Sequence, residues 1–498
     1  MSDAPDTDHA TKLVLGEHRW RVLGVAFAVG LTSAWLAEPT LFGGGPAGIG
    51  LALLLISPVL VALLGGVVVN SGPSLHAVGI FAAALAVLPW VAVRSAPALL
   101  ALDLLAAVGL VAVGVYRYRV DTPSMSLFDH LRVVCWAPIG VLVEPFRFVR
   151  DDLEGTGASI RPTTRVRGVV RGLALAIIPV LVFGALLASA DAVFSDIVGS
   201  VFRVDLGGFF EIGGVALLVA WVVIGLLRFS LGRWPLIEIP RGTGYLGTTE
   251  VVTVLGTLAG MFALFVGIQF AYLFGGADTI RGTRGLTTAE YYRQGFFQLV
   301  AVAALVTLLV LVLDWWHRTP ERTPHRAVVV LFEALIGLTA VMVVSALVRL
   351  YVYVDAFGIS RLRVYTAAFV VWIAALLILL ATSVARGRRD RFAPGAIITA
   401  FVVVLALNVV NPDALIARVN IDRHIDDGAE LDIGYLGTLS EDAVPTIVDQ
   451  ASGPMCAELL EIAIDIAGED QRGGFRTFNW SRSGADAAVF GVDVSERC

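Results

Sequence analysis

The chain has 498 residues, 57% of them hydrophobic and only 16% charged, with a mean hydropathy of +0.81 and a formal net charge of −6. A soluble domain carries about 25% charged residues, so an ordinary water-soluble fold is excluded. The composition specifies an all-α polytopic membrane protein whose first partner is the lipid bilayer, with no nucleic-acid partner expected.

Runs of roughly 18 or more apolar residues are long enough to cross the hydrocarbon core as helices. About 11 transmembrane helices are predicted, at 22–37, 47–69, 75–93, 98–116, 169–190, 209–228, 251–274, 295–313, 327–352, 363–385 and 394–411. Trp20 and Trp35 mark the two interfaces of the first run. The segment before it is long and acidic, and Glu38-Pro39 follows in place of a small-residue cleavage site. The first run is therefore expected to be a retained signal anchor. Pro58, Pro89 and Pro179 fall near mid-span, where a proline can kink a helix.

Arginine sets the expected orientation. With the N-terminus inside, about 21 basic residues fall in inner loops and about 8 outside. Residues 131–146 (LRVVCWAPIGVLVEPF) are apolar but short, and a crossing there would reverse every later loop. They are read as an interfacial or re-entrant segment. Five parts result: a cytoplasmic segment 1–21, a four-helix membrane part 22–116, a basic cytoplasmic loop 117–168, a seven-helix core 169–411 and an extracytoplasmic tail 412–498. That tail holds 17 Asp/Glu against 6 Arg, so the pI hides two oppositely charged parts. Residues 455–467 in it read as a helix ended by Gly468; the remainder fits either a small cap or a mostly extended tail. A disulfide between Cys456 and Cys498 is chemically permitted outside, although little in the sequence calls for one.

Familiar catalytic motifs are missing. Gly43-Gly44-Gly45-Pro46-Ala47-Gly48 and Gly242-Thr243-Gly244-Tyr245-Leu246-Gly247 match G-x-G-x-x-G but sit in no strand–turn–helix unit, which argues against a dinucleotide site. The seven histidines show no ligand spacing, and neither a metal nor a cofactor is expected. Gly256-Thr257-Leu258-Ala259-Gly260 is a helix-packing candidate. Asn479-Trp480-Ser481 is a sequon best explained by chance.

Five polar, aromatic segments stand out at one set of span ends: LLASADAVF (187–194 and the preceding residue), YLFGG (272–276), TTAEYYRQGFF (287–297), SALVRLYVYVDAFGISRLR (345–363) and NPDALIARVN (411–420). With LDIGYLGTLSEDAVP (431–445), these segments resemble a family of bacterial and archaeal multi-pass membrane proteins known only as a domain of unknown function. The resemblance covers roughly 165–445 and departs from the family's usual aromatic residue at Thr288. It implies an integral membrane protein and brings no activity or site residue with it.

Read from the residues, Asp191, Gln269, Tyr272, Glu290, Arg293, Arg349, Tyr353, Asp355, Arg361, Arg363, Asn411 and Asp413 form the candidate ligand-binding set at the outer face. Arginine with acid suits a polar, anionic or lipid-linked envelope substrate, and Glu38 is an additional acid for a transferase-like reading. Whether the chain is an enzyme is left open. Each residue also has a plain structural use. Thr287-x-x-Glu290 is a capping box, Arg349 can snorkel or pair with Asp355, the tyrosines suit an aromatic belt, and Asn411-Pro412-Asp413 is a helix stop. Two other functions compete: a transporter or channel, with a path from Asp103 and Gln269 toward Glu333, and a structural or regulatory protein whose motifs only pack the loops.

Overall fold

A computed structural model describes residues 7–42, 45–68, 74–117, 127–149, 207–231, 246–274, 288–316, 326–387, 391–468 and 474–498. These residues form helices and turns. The membrane part comprises α1 (Thr7–Leu41), α2 (Ile49–Val68), α3 (Leu75–Val87), α4 (Pro97–Arg117), α5 (Leu127–Arg147), α6 (Gly207–Leu231), α7 (Thr248–Phe274), α8 (Thr288–Trp316), α9 (Arg326–Phe357), α10 (Arg361–Ala385) and α11 (Phe392–Val410). Eight stretches among the described residues are long and apolar enough to cross a membrane, while Ile49–Leu64 and Gln298–Leu313 are shorter apolar helices. The run at 169–190, Pro179 and Asp191 lie outside the described residues. The protein is thus a multi-pass, all-helical membrane protein.

Two helix groups share the membrane part. Helices α1 to α6 form one, with Phe81, Leu110, Val133 and Leu226 in its core. Helices α7 to α10 form the other, around Leu255, Val310, Phe332 and Leu377. Helix α11 joins them by packing on α10, α4 and α5. In lipid, helices associate through close packing of small residues, not through hydrophobic exclusion from water. Gly30 lies against the Ala216 carbonyl and Gly225 against the Val141 carbonyl, so any side chain there would strike a neighbouring backbone. At Gly256 and Gly260 no described residue lies within 4 Å of where a Cβ would stand, so no described helix packs on that motif.

Proline acts where it removes a needed donor. Pro89 ends α3, and Leu88–Ala92 continues as a 3-10 turn. Residues 131–146 lie within the continuous helix α5, with Pro138 and Pro145 inside it. Glu144 on α5 pairs with Arg228 on α6 at 2.7 Å, both side chains 6% exposed. An apolar cavity of about 310 Å³ between α2, α4, α5 and α6 is lined by residues such as Pro58, Val111, Pro138 and Val222; its lack of polar side chains excludes it as a polar-ligand site.

The tail is folded rather than extended. Helices α12 (Pro412–Asp427), α13 (Val444–Gln450), α14 (Cys456–Ala467) and α15 (Trp480–Val489) build a cap around Ile421, Leu436, Ile447, Leu460 and Ala485. That core is continuous with Leu99 of α4, Val364 of α10 and Leu407 of α11. Gly468 ends α14 with φ 71°, as the sequence predicts. Cys456 and Cys498 form a disulfide, a pairing permitted but not called for by the sequence, and it ties the C-terminus back to α14.

Candidate functional site

The cap meets the membrane helices along a seam built from buried charges. At the end of α11, Asn411 takes a left-handed conformation, φ 55°, and Pro412 opens α12 directly. Asparagine tolerates that conformation better than most residues because its side chain bonds locally. Its Oδ1 accepts from the Ala414 N–H at 3.4 Å and its Nδ2 donates to the Asp442 carbonyl at 3.3 Å. The sharp reversal turns Asp413 inward, where its side chain is fully buried.

Arg361 opens α10 and meets Asp413 as a two-pronged fork, Nε donating at 2.9 Å and Nη2 at 2.6 Å. The Ser440 N–H adds a third bond at 2.8 Å. Burial pushes the Asp413 carboxyl up, but the hydrogen bonds from Arg361 and Ser440 outweigh burial and hold it below the usual carboxylate range. The backbone N–H of Arg361 is in turn satisfied by Tyr435 Oη at 2.8 Å.

Asp442 is the second buried acid. Its Oδ2 accepts from the N–H groups of Ser95 and Ala96 at 2.9 and 3.0 Å and from the Ser95 and Ser440 hydroxyls. These amides precede Pro97, so a cap residue supplies the N-terminal cap of α4 from 346 residues away in sequence. Arg94 reaches Asp442 at 3.4 Å and donates Nε and Nη2 to the Asn408 carbonyl at 2.8 and 2.6 Å. Asn408 Nδ2 then donates to Asp103 Oδ1 on α4 at 2.7 Å and to the Val404 carbonyl at 3.1 Å. The polar chain thus runs from the cap into the membrane part, where Asp103 is 1% and Asn408 0% exposed.

The turn between α9 and α10 docks beside this seam. Gly358 has φ +73°, and a Cβ there would come within 2.5 Å of Asn420 Oδ1 and 2.8 Å of Arg423 Nη1. Asn420 on α12 bonds both the N–H and the carbonyl of Ile359 at 2.9 Å. Arg423 donates to the Asp355 carbonyl. Arg363 donates to the carbonyls of Phe357 and Gly358 and lies over the Tyr353 ring, 4.2 Å from its centre.

Of the twelve candidate residues, Arg361, Asn411 and Asp413 meet at the seam, and Tyr353, Asp355 and Arg363 gather in the adjoining turn. Asp355 takes part through its backbone. Arg349 sits half-buried on α9. Gln269 and Tyr272 belong to α7 and Glu290 and Arg293 to α8, but their side chains lie outside the described residues. The sequence singled out neither Arg94, Ser440, Asp442, Asn420 nor Tyr435 as site residues. Asp442 and Tyr435 do fall within LDIGYLGTLSEDAVP, which was the available signal.

Other candidates prove to be tail anchors. Glu38 pairs with Arg476 at 3.1 Å, and Arg476 also bonds the Trp35 carbonyl and lies over its ring. Gly48 gives way to the Thr477–Phe478 backbone, where a Cβ would meet the Phe478 oxygen at 2.6 Å. The glycine-rich segment therefore receives the tail. Asn479 is buried, its Nδ2 spent on the carbonyls of Ala47 and Arg94 and its Oδ1 capping α15. Among the described residues, no group of three His, Cys, Asp or Glu side chains could hold a metal ion.

Membrane helices closed by a helical cap, with buried charges at the seam, define a multi-pass membrane protein. The family model described as Domain of unknown function (DUF4153) matches residues 79–450, and the chain belongs to that family. The match takes in both sides of the seam, from α3 to α13. No curated protein and no solved structure matches the chain.

Proposed function

We propose that this chain is a multi-pass cell-membrane protein, with its N-terminus cytoplasmic and the 412–498 tail outside, that handles a small polar ligand at its extracytoplasmic face. The observation that carries the reading is the cap closed over an incompletely satisfied polar pair, Asp103 and Asn408, in the adjoining half of the membrane part. Intramembrane ionisable groups are costly, and those that persist usually mark a functional site. The arginine bias of the opposite loops and the disulfide in the tail support the orientation. An anionic or lipid-linked ligand needs an uncommitted cation. Arg361 and Arg363 are engaged by Asp413 and backbone carbonyls, which weighs against that variant of the reading.

A structural reading has its own observation: Arg94, Arg361, Asp413 and Asp442 are all consumed in holding the cap. Transport finds less support, because Asp103 and Glu333 sit on helices of different groups, one near the cap end of α4 and the other near the remote end of α9. Single cysteines at Ser452 and Arg386 in a Cys135→Ser background test the orientation with an impermeant maleimide on intact cells. Labelling at 452 alone is expected; labelling at 386 alone refutes the orientation. Native mass spectrometry of protein in nanodiscs then separates ligand handling from a structural role. A solute retained by the native chain and lost in Asp103→Asn supports the first, and identical spectra refute it.

A further inference from the structure

The seam covers a buried set of oxygens that have no hydrogen-bond partner among the described residues. Asp103 Oδ1 takes the Asn408 amide, but Asp103 Oδ2 has no hydrogen-bond partner. Asn408 has spent both of its N–H donors, on Asp103 and on the Val404 carbonyl, so its Oδ1 can only accept, and it too has no partner. The Tyr365 hydroxyl is likewise buried and unpartnered, and it lies within electrostatic range of Asp103, Asp413, Asp442 and Arg361. Residues flanking all three groups, Leu99 and Leu102 on α4, Val364 on α10 and Leu407 on α11, share one core cluster beneath Ile416 and Ala417 of the cap. Three unpartnered oxygens therefore come from three helices in one packed region.

Buried polar groups are nearly always hydrogen-bonded, and each exception calls for a cause. A buried carboxyl must either keep a proton or meet a positive partner. The cations nearest the seam are committed elsewhere, Arg361 to Asp413 and Arg94 to the Asn408 carbonyl and Asp442. All available donors are hard oxygens, which suit alkali and alkaline-earth ions over softer metals. One carboxylate balances one charge; a divalent ion would leave an uncompensated charge in an apolar surround.

We infer that Asp103 Oδ2, Asn408 Oδ1 and the Tyr365 hydroxyl hold a single alkali-metal cation between α4, α11 and α10, directly under the charged seam. This inference rests on the reading of a small-ligand site beneath the cap and gives that ligand a chemical class. The seam then has a second role. Arg94 presents positive charge to the Asn408 carbonyl on the cap side, so an ion entering from that side must pass a cationic barrier, which falls only if Arg94 leaves that carbonyl.

The test uses full-length protein in nanodiscs, with thermal unfolding followed in NaCl, KCl or choline chloride at constant ionic strength. A ligand that binds only the folded state raises the midpoint, on the order of 3 °C at a hundredfold excess over Kd for a chain of this size. The native protein should show a saturable rise with sodium or potassium and none with choline. Asp103→Asn keeps an oxygen to accept the Asn408 amide and removes the negative charge, so it should fold, melt near the salt-free native value, and lose the alkali response. Tyr365→Phe removes one ligand and should weaken the half-saturating concentration about tenfold while leaving the choline midpoint near native. Equal midpoints in all three salts overturn the inference, as does an alkali response that survives in Asp103→Asn. A midpoint that follows pH alone also overturns it, by making the occupant a proton. None of these failures touches the maleimide and mass-spectrometry tests of the face and its ligand, so the two readings fail separately.

Discussion

Replacing Asp413 by alanine should release the cap. The carboxylate is fully buried and holds the Arg361 fork and the Ser440 amide, so its loss strands a guanidinium and an N–H at the seam. Breaking a buried pair by removing one partner costs about 3–5 kcal/mol. The Arg361 side chain is 31% exposed, which lets water take over part of the charge, so the low end, about 3 kcal/mol, applies. A global midpoint spreads a change confined to the cap over the whole chain. Hydrogen exchange reads local opening instead. Amides of α12 and of residues 431–450 should exchange about a hundredfold faster in Asp413→Ala, while amides of α7 to α9 stay as they were. Arg361→Ala should produce the same pattern, and the double variant little more than either single one, since both remove one interaction. Acid should imitate the mutation. The Asp413 pKa is depressed in the folded protein, so its contribution is complete above the unfolded value near 3.8 and is lost as pH falls through the lower folded value. Cap protection should therefore be flat with pH for this group from 8 to 5 and decline below 4. Protection that changes less than threefold in both single variants, or effects that add in the double, would refute the pairing as what holds the cap.

Further outcomes test other parts of the seam and bundle. Gly358→Ala places a Cβ against Asn420 and Arg423 at a positive φ, and should loosen the α9–α10 turn by at least about 1 kcal/mol, seen as faster exchange at residues 355–362. Asn420→Ala removes two bonds to Ile359 and should cost about 1–3 kcal/mol in the same assay. Glu144→Ala removes the acid that Arg228 meets at 2.7 Å between α5 and α6; a cost of about 3–5 kcal/mol should appear as reduced yield and a broadened peak in detergent chromatography. Cys498→Ser opens a loop with a sequence separation of 42, and should weaken α14 by up to about 4 kcal/mol in the chain-entropy estimate, measured as protease sensitivity of the last residues.

The membrane part was legible because apolar run length is a one-dimensional signal. Ten of the eleven predicted runs coincide with described helices. Local signals in the tail held equally well: Gly468 ends α14, and Asn411-Pro412 stops one helix and starts another. Long-range pairing was illegible for a simple reason. Arg94 and Asp442 are 348 positions apart, and each reads alone as an ordinary interfacial charge. The candidate set was drawn toward conspicuous side chains such as Asp355, whose backbone carbonyl turned out to be the part in use. Glycine misled in both directions. The Gly256–Gly260 pair has a packing pattern with no described residue against it, whereas Gly48, set aside with its nucleotide-like segment, is where the tail docks.

The family's signature segments gain a common explanation from this geometry. SALVRLYVYVDAFGISRLR supplies the turn with Gly358 and the fork of Arg361; NPDALIARVN supplies Asn411, Asp413 and Asn420; LDIGYLGTLSEDAVP supplies Tyr435, Ser440 and Asp442. These are three sides of one contact. Their chemistry is of a kind that tolerates little substitution: a bidentate fork, a bidentate amide on a backbone, a left-handed residue and a helix capped from a distant segment. Such a contact could have been built from apolar packing at lower electrostatic cost, since buried ion pairs are often no more stabilising than hydrophobic replacements. What charge adds is a response: an apolar seam is indifferent to acid and to ions, whereas this one weakens when Asp413 is protonated and runs through Arg94 and Asn408 to Asp103. A seam of this composition connects the state of the cap to a buried acid on α4. That connection, rather than any single residue, is the feature most worth perturbing first.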